Sequence, residues 1–168
     1  MSLKKIDAST LTFNPFEKLA KQWALVGAGS MDKFNMMTVS WGAVGVIWGK
    51  PSVTAYIRQT RYTKEFVDSS DTFTLTFLKD GNRDALNVLG SKSGRDMDKM
   101  KDSGLTPIEV DGEVMFEEAE LVLVCRKRFV QDMPKENFVN QETLDKWYAD
   151  QNYHTMYIGE IVAAYAAE

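Results

Sequence analysis

The chain has 168 residues, a net charge of −4 and 26% charged residues. That length suits one domain with a sizeable core, and its interspersed acids and bases argue against a general nucleic-acid binder while leaving room for a local patch that holds one phosphate. No segment reaches membrane-spanning length and residues 1–5 lack the apolar run of a signal peptide, so the expectation is a cytoplasmic protein with a single domain over residues 1–168.

In chain order, Asn14-Pro15 predicts a short helix, with Asn14 as its cap and Pro15 at the first helical position. Residues 23–29 read as a strand, 30–33 as a turn and 34–41 as the returning strand. In that second strand Met37, Val39 and Trp41 alternate with Met36, Thr38 and Ser40, the period of two of a strand with one polar face. Gly27-Ala28-Gly29 is rejected as a dinucleotide fingerprint, because strand periodicity follows it and no helix starts there. Lys50-Pro51 predicts a turn before a strand over 52–58, and 62–69 a short helix. Thr72-Phe73-Thr74-Leu75-Thr76-Phe77-Leu78 alternates threonine with bulky apolar residues, a strong strand signal. Residues 84–89 and 96–101 predict helical pieces around a loop over 90–95, with Gly104 ending the second. A long strand over 119–130, a helix over 143–149 and a last strand over 156–164 complete the chain. Strands joined by short turns, without regular crossover helices, predict a mostly β, antiparallel fold with added helices.

The single Cys125 excludes an intramolecular disulfide and a cysteine-built metal site; in its apolar run it reads as a buried, inert thiol. No metal-ligand cluster or Walker loop is present, and a Ser-His-Asp arrangement would have only His154, with no nucleophile elbow. Arg126-Lys127-Arg128 reads as a solvated strand edge. The turn carrying Arg58, Thr60, Arg61 and Thr63 gathers cations and small donors at a strand-to-helix junction, which suits a phosphate-bearing ligand. Helix capping by Thr60 or Thr63 is compatible with that role, since both use free amides of the first helical turn. From the residues alone, Asn35, Thr38 and Ser40 are equally well ordinary strand residues, and Ser91-Lys92-Ser93 between Gly90 and Gly94 a solvated loop. Arg95 is expected to pair with Asp96 or Asp98, and Trp41, Trp48 and Trp147 to serve as core or dimer contacts, with one of them a candidate to stack on a ligand's ring.

Six pieces, in order, carry a family resemblance: Asn35-x-Met37-Thr38-Val39-Ser40-Trp41-Gly42, Trp48-Gly49-Lys50-Pro51, Arg58-x-x-Arg61-Tyr62-Thr63-x-Glu65-Phe66, Gly90-Ser91-Lys92-Ser93-Gly94-Arg95-Asp96, Phe116-Glu117-Glu118-Ala119 and His154-x-x-Tyr157-Ile158-Gly159-Glu160. Together they resemble the flavin reductase-like, FMN-binding split-barrel family, close to its flavoredoxin branch. The resemblance implies a Greek-key split β-barrel that binds FMN, takes hydride from NADH or NADPH, and passes electrons to an unknown acceptor. It also implies a homodimer with flavin near the interface. Cofactor contacts would fall to Asn35, Met37, Thr38, Ser40, Trp41, Arg58, Thr60, Arg61, Thr63, Ser91 and Lys92, with Arg58 and Lys92 on the phosphate. His154 would be the catalytic residue beside flavin or nicotinamide, its charge transition near physiological pH suited to proton delivery. An electron shuttle with poor nicotinamide use and a non-catalytic flavin-binding module are the competing functions, since the same barrel type serves several chemistries.

Overall fold

The computed structural model describes residues 2–168. After β1 (Leu3–Ile6) and a 3-10 turn at Ala8–Thr10, α1 (Pro15–Glu17) begins as expected. The Asn14 side chain accepts from the Phe16 N–H, and Pro15 sits where its missing N–H costs nothing. The helix continues as a π-helical stretch, Lys18–Gln22. β2 (Ala24–Ser30) and β3 (Lys33–Val39) form the first hairpin. Gly29 takes φ +113°, and a Cβ there would lie 2.3 Å from the Lys33 carbonyl, so the position admits only glycine.

β4 (Gly42–Ile47) is absent from the sequence-based expectation. It pairs with β5 (Lys50–Arg58) across Trp48-Gly49, both at positive φ, the twist that joins neighbouring strands of a hairpin. The turn expected at Lys50-Pro51 therefore lies inside the ladder, with Pro51 opposite Val46. α2 (Tyr62–Ser69) and β6 (Thr72–Leu78) fall where the sequence places them, while α3 (Arg83–Ser91) runs longer than expected. α4 (Lys99–Ser103) starts later, because the Asp98 carboxylate accepts from the Met100 and Lys101 N–H groups and caps the helix there; Gly104 ends it at φ +70°. A separate hairpin of β7 (Pro107–Val110) and β8 (Glu113–Phe116) turns at Asp111-Gly112, a dipeptide that signals such a turn. β9 (Ala119–Asp132), α5 (Gln141–Trp147) and β10 (His154–Ala167) complete the chain.

The main sheet runs β3-β2-β6-β9-β10-β5-β4, antiparallel throughout, with β1 added along the end of β10. One apolar cluster draws Ala24, Met37, Val53, Phe73, Leu121 and Ile161 from β2, β3, β5, β6, β9 and β10, so the sheet wraps around a single core. β3 and β4 are the two ends of the strand order and do not pair; the barrel is split between them, and the Ser40-Trp41 link bridges the gap. Long connections bring β5 beside β10 and β2 beside β6, a Greek-key arrangement.

β9 lies between β6 and β10, so Arg126-Lys127-Arg128 is not on an edge strand, while Arg126 and Arg128 are solvent-exposed as expected. The Lys127 ammonium donates to the Asp68 carbonyl at 2.9 Å at the end of α2, and Arg128 pairs with Glu160 at 2.6 Å. Cys125 is fully buried, and burial pushes its thiol pKa well up. Among the described residues no helix is long and apolar enough to cross a membrane.

Candidate functional site

The end of β3, the Ser40-Trp41 link, the ends of β5 and β10, and the junctions beside α2 and α5 converge on a cleft of about 230 Å³. Met37, Thr38, Ser40, Trp41, Arg58, Arg61 and His154 all line it, so the fold brings together seven of the residues singled out from sequence. Tyr56, Trp147 and Val39 complete the wall. The β5–β10 register sets Arg58 directly opposite His154. An apolar groove of about 580 Å³ adjoins the cleft, sharing Ser40, Trp41 and Tyr56 and adding Phe16, Leu19 and Tyr148.

The two arginines are fastened to backbone carbonyls. Arg58 donates to Asn152 O at 2.6 Å and Trp147 O at 2.9 Å, with Asp150 at 3.4 Å, and its guanidinium lies over the Tyr148 ring. It thereby ties the loop before β10 to the end of β5. Arg61 donates to Gly90 O at 2.8 Å and Leu89 O at 3.4 Å, at the end of α3, where free carbonyls attract a cation. Lys99, which the sequence reading passed over, is only 6% exposed. Its ammonium donates to Met36 O at 2.8 Å and Leu89 O at 3.3 Å. Burial, then the neighbouring Arg61, hold its pKa down to about 8, and burial with Arg58 lowers that of Arg61. The cations crowd one another, and the hydrogen bonds of Arg61 and Lys99 go to carbonyls. An anion would relieve that crowding. Each guanidinium has five N–H groups, so both arginines keep donors for a ligand.

His154 is 6% exposed, with Nδ1 2.8 Å from the Tyr148 hydroxyl. Burial and the Arg58 charge push its pKa from 6.5 to about 4, against an opposing pull from Asp150. This corrects the expected charge transition near physiological pH: the imidazole is neutral there, because a ring out of water beside a guanidinium cannot easily take a second proton. Trp41 packs 5.3 Å from the imidazole and meets Trp147 edge-on at 5.0 Å.

Five expected residues stand outside the cleft. Asn35 Nδ2 donates to Thr63 Oγ1 at 2.8 Å; both are buried and clasp β3 to α2. Thr60 accepts from Asn152 Nδ2 at 2.8 Å. Ser91 donates to Asn87 O at 2.8 Å within α3, and Lys92 is exposed at that helix's C-terminus. Within the cleft, Thr38 donates to Leu86 O at 2.6 Å, so its hydroxyl hydrogen serves the packing of α3 on β3. Arg95 pairs with Glu65 instead of Asp96 or Asp98 and lies over Tyr62, because α2 passes closer to it than its own loop's acids. Tyr56, Tyr148 and Lys99 were not singled out from sequence. The first reads as an ordinary strand aromatic, the second sits in an irregular loop, and a lysine in a polar helix reads as surface.

The profile of the flavin reductase like domain family matches residues 16–168. No curated protein sequence matches the chain. Among solved structures, an FMN-binding domain of a flavin reductases-like enzyme from Shewanella baltica superposes with a TM-score of 0.69 at 18% identity, covering 98% of this chain and 77% of that one. A flavoredoxin from Methanosarcina acetivorans gives a TM-score of 0.68 at 23% identity, covering 88% of this chain and 69% of that one. A flavoredoxin of Desulfovibrio vulgaris gives 0.66 at 20% identity, covering 87% and 69%. At these identities the likeness establishes the shared split-barrel fold.

Proposed function

The chain belongs to the flavin reductase like domain family, and on that premise we propose that it binds FMN without a covalent bond and works as a flavin reductase-like oxidoreductase. NADH or NADPH is the proposed hydride donor, and the acceptor is a further molecule or protein. The observation that carries this reading is the cleft itself, where Thr38 on β3 and Ser40 in the link after it meet two carbonyl-anchored arginines and a buried imidazole.

The residues present fit such a cofactor. Trp41, Trp147 and Tyr56 offer flat apolar walls to a ring system, Ser40 offers a hydroxyl, and Arg58 with Arg61 offers fixed positive charge to a phosphate. Bound FMN would supply the redox chemistry, accepting hydride and releasing electrons. The protein's own residues bind, orient and exclude water: the arginines hold an anion in place, the tryptophans shield the cleft, and His154 offers a neutral hydrogen-bonding atom.

A homodimer with the cleft near its interface belongs to the same proposal. Its support is the unpaired edge of β4 together with exposed Phe16, Val46, Trp48, Phe129 and Val130. Sedimentation of flavin-loaded protein should give a dimer; a stable flavin-bound monomer would remove this part. A cytoplasmic location is likewise proposed, in keeping with one buried free thiol.

The burial of His154 opposite Arg58, which disfavours a cationic acid at the cleft, favours the electron-shuttle reading. Anaerobic addition of NADH and then NADPH to FMN-loaded protein separates the two. Bleaching of the flavin absorbance at a catalytic rate is expected. Flavin that binds but resists both nucleotides would leave the shuttle, and absence of saturable FMN binding would sink both.

A further inference from the structure

We propose that Tyr148 is a positioning residue for His154: its hydroxyl donates to Nδ1 and holds the imidazole as the Nε2–H tautomer, so that the ring meets the ligand of the cleft as a hydrogen-bond donor. The ligand part of this rests on the reading of the cleft as a flavin site; the tautomer part does not.

A neutral imidazole has one donor and one acceptor nitrogen, and the bond made by one nitrogen decides the role of the other. Nδ1 is 2.8 Å from the Tyr148 oxygen. If Nδ1–H were the donor, the phenolic hydrogen would need another acceptor, and the hydroxyl makes no other hydrogen bond among the described residues. Donation from the phenol to Nδ1 satisfies both groups at once. The ring is buried and lies near Arg58, which keeps the second proton away at neutral pH.

The surroundings hold Tyr148 still. Its backbone N–H closes α5 on Leu144 O at 2.9 Å, its ring stacks on Tyr153 at 5.3 Å, and the Arg58 guanidinium covers it at 5.4 Å. Tyr148 lines the apolar groove and His154 lines the cleft, so their hydrogen bond runs through the wall between the two. Nε2 is the polar atom left for the cleft. A ligand that presents a carbonyl oxygen or an unprotonated ring nitrogen, as flavin does, matches that donor.

His154 is the only histidine, so protein labelled with ¹⁵N-histidine reports a single imidazole. In wild-type apoprotein at pH 7 the expected spectrum shows an unprotonated Nδ1 and a protonated Nε2, and the Nε2 resonance should shift when FMN is added. Tyr148→Phe keeps the ring and its stacking but removes the donor. Its imidazole should show a mixture of both tautomers, and FMN affinity should fall roughly two- to tenfold. A wild-type Nδ1–H tautomer overturns the proposal, and so do unchanged tautomer populations in Tyr148→Phe. Should that variant fail to fold, the wild-type spectrum alone decides the tautomer. Protein that shows the Nε2–H form but binds no flavin overturns the flavin reading of the cleft and still supports the role of Tyr148.

Discussion

The middle and the far end of β9 and β10 differ sharply, although the two strands run side by side through both. In the middle, Leu123, Cys125 and Ile161 are buried among Phe73 and its neighbours, and Gly159 is so enclosed that a Cβ would lie 2.7 Å from Cys125 Cβ and from the Phe73 ring. At the far end, Phe129 and Val130 are exposed, and the neighbours of β10 are the cations and tryptophans of the cleft. The centre is stabilised by packing that tolerates little change. The rim is stabilised by a few directional bonds from Arg58, Arg61, Lys99 and Tyr148, and the two guanidiniums keep further N–H donors. Stability and ligand recognition are therefore expected to respond to different substitutions.

The largest effect should come from the centre. Phe73→Ala should lower unfolding stability by about 3–5 kcal/mol through lost burial and a cavity, measured by urea unfolding, while the folded fraction keeps its FMN affinity. A matching loss of affinity would break the separation between core and rim.

Next comes Lys99, whose contribution depends on pH. Its folded pKa of about 8 lies below the ordinary 10.5. Below pH 8 the ammonium is charged in both states, and the cost of burying it is complete. Between pH 8 and 10.5 the folded protein sheds the proton first and the unfolded chain binds more protons, so stability rises with pH. Wild-type protein should gain up to roughly 3 kcal/mol over that window relative to Lys99→Met, which lacks the titration. Parallel stability–pH profiles for the two proteins would mean that the ammonium is solvated.

Arg61→Ala should weaken FMN binding by about 1.5–3 kcal/mol, the range for bonds to charged groups, and riboflavin binding by much less. Titration calorimetry with both ligands checks this. Equal losses for the two would mean that releasing the end of α3, rather than losing a phosphate contact, was responsible. The smallest effect should be that of Lys92→Ala, within about 0.5 kcal/mol for FMN as for other exposed substitutions. A loss comparable to that of Arg61→Ala would return Lys92 to the phosphate.

The elements legible from sequence were those with strong local patterns. α2 and β6 fall at their expected limits, and Asn14-Pro15 marks α1 because a cap is a local device. β4 was missed because its glycines interrupt the alternating run, and β7 and β8 because each is only four residues long. At the site, the residues found from sequence were Met37 and Thr38 on β3, Ser40 and Trp41 in the link after it, Arg58 and Arg61 at the turn after β5, and His154 at the head of β10. Lys92 is placed on the phosphate only by the family resemblance, since the residues alone read as a solvated loop, and nothing local singles out Lys99. Burial of Lys99 is produced by α4 folding back on α3 and β3, which no local pattern announces.

An antiparallel β chain, a turn after one strand that gathers two arginines and two threonines, a single buried thiol and a single histidine are legible in the amino-acid sequence alone, because period, turn chemistry and composition are local properties. The tertiary structure decided which of those groups meet. The β5–β10 register sets Arg58 against His154, and the loop after α5 delivers Tyr148 to Nδ1. Burial then makes the imidazole neutral and lowers the pKa of Lys99, since the free energy of a charge depends on the solvent and charges that long-range packing leaves around it.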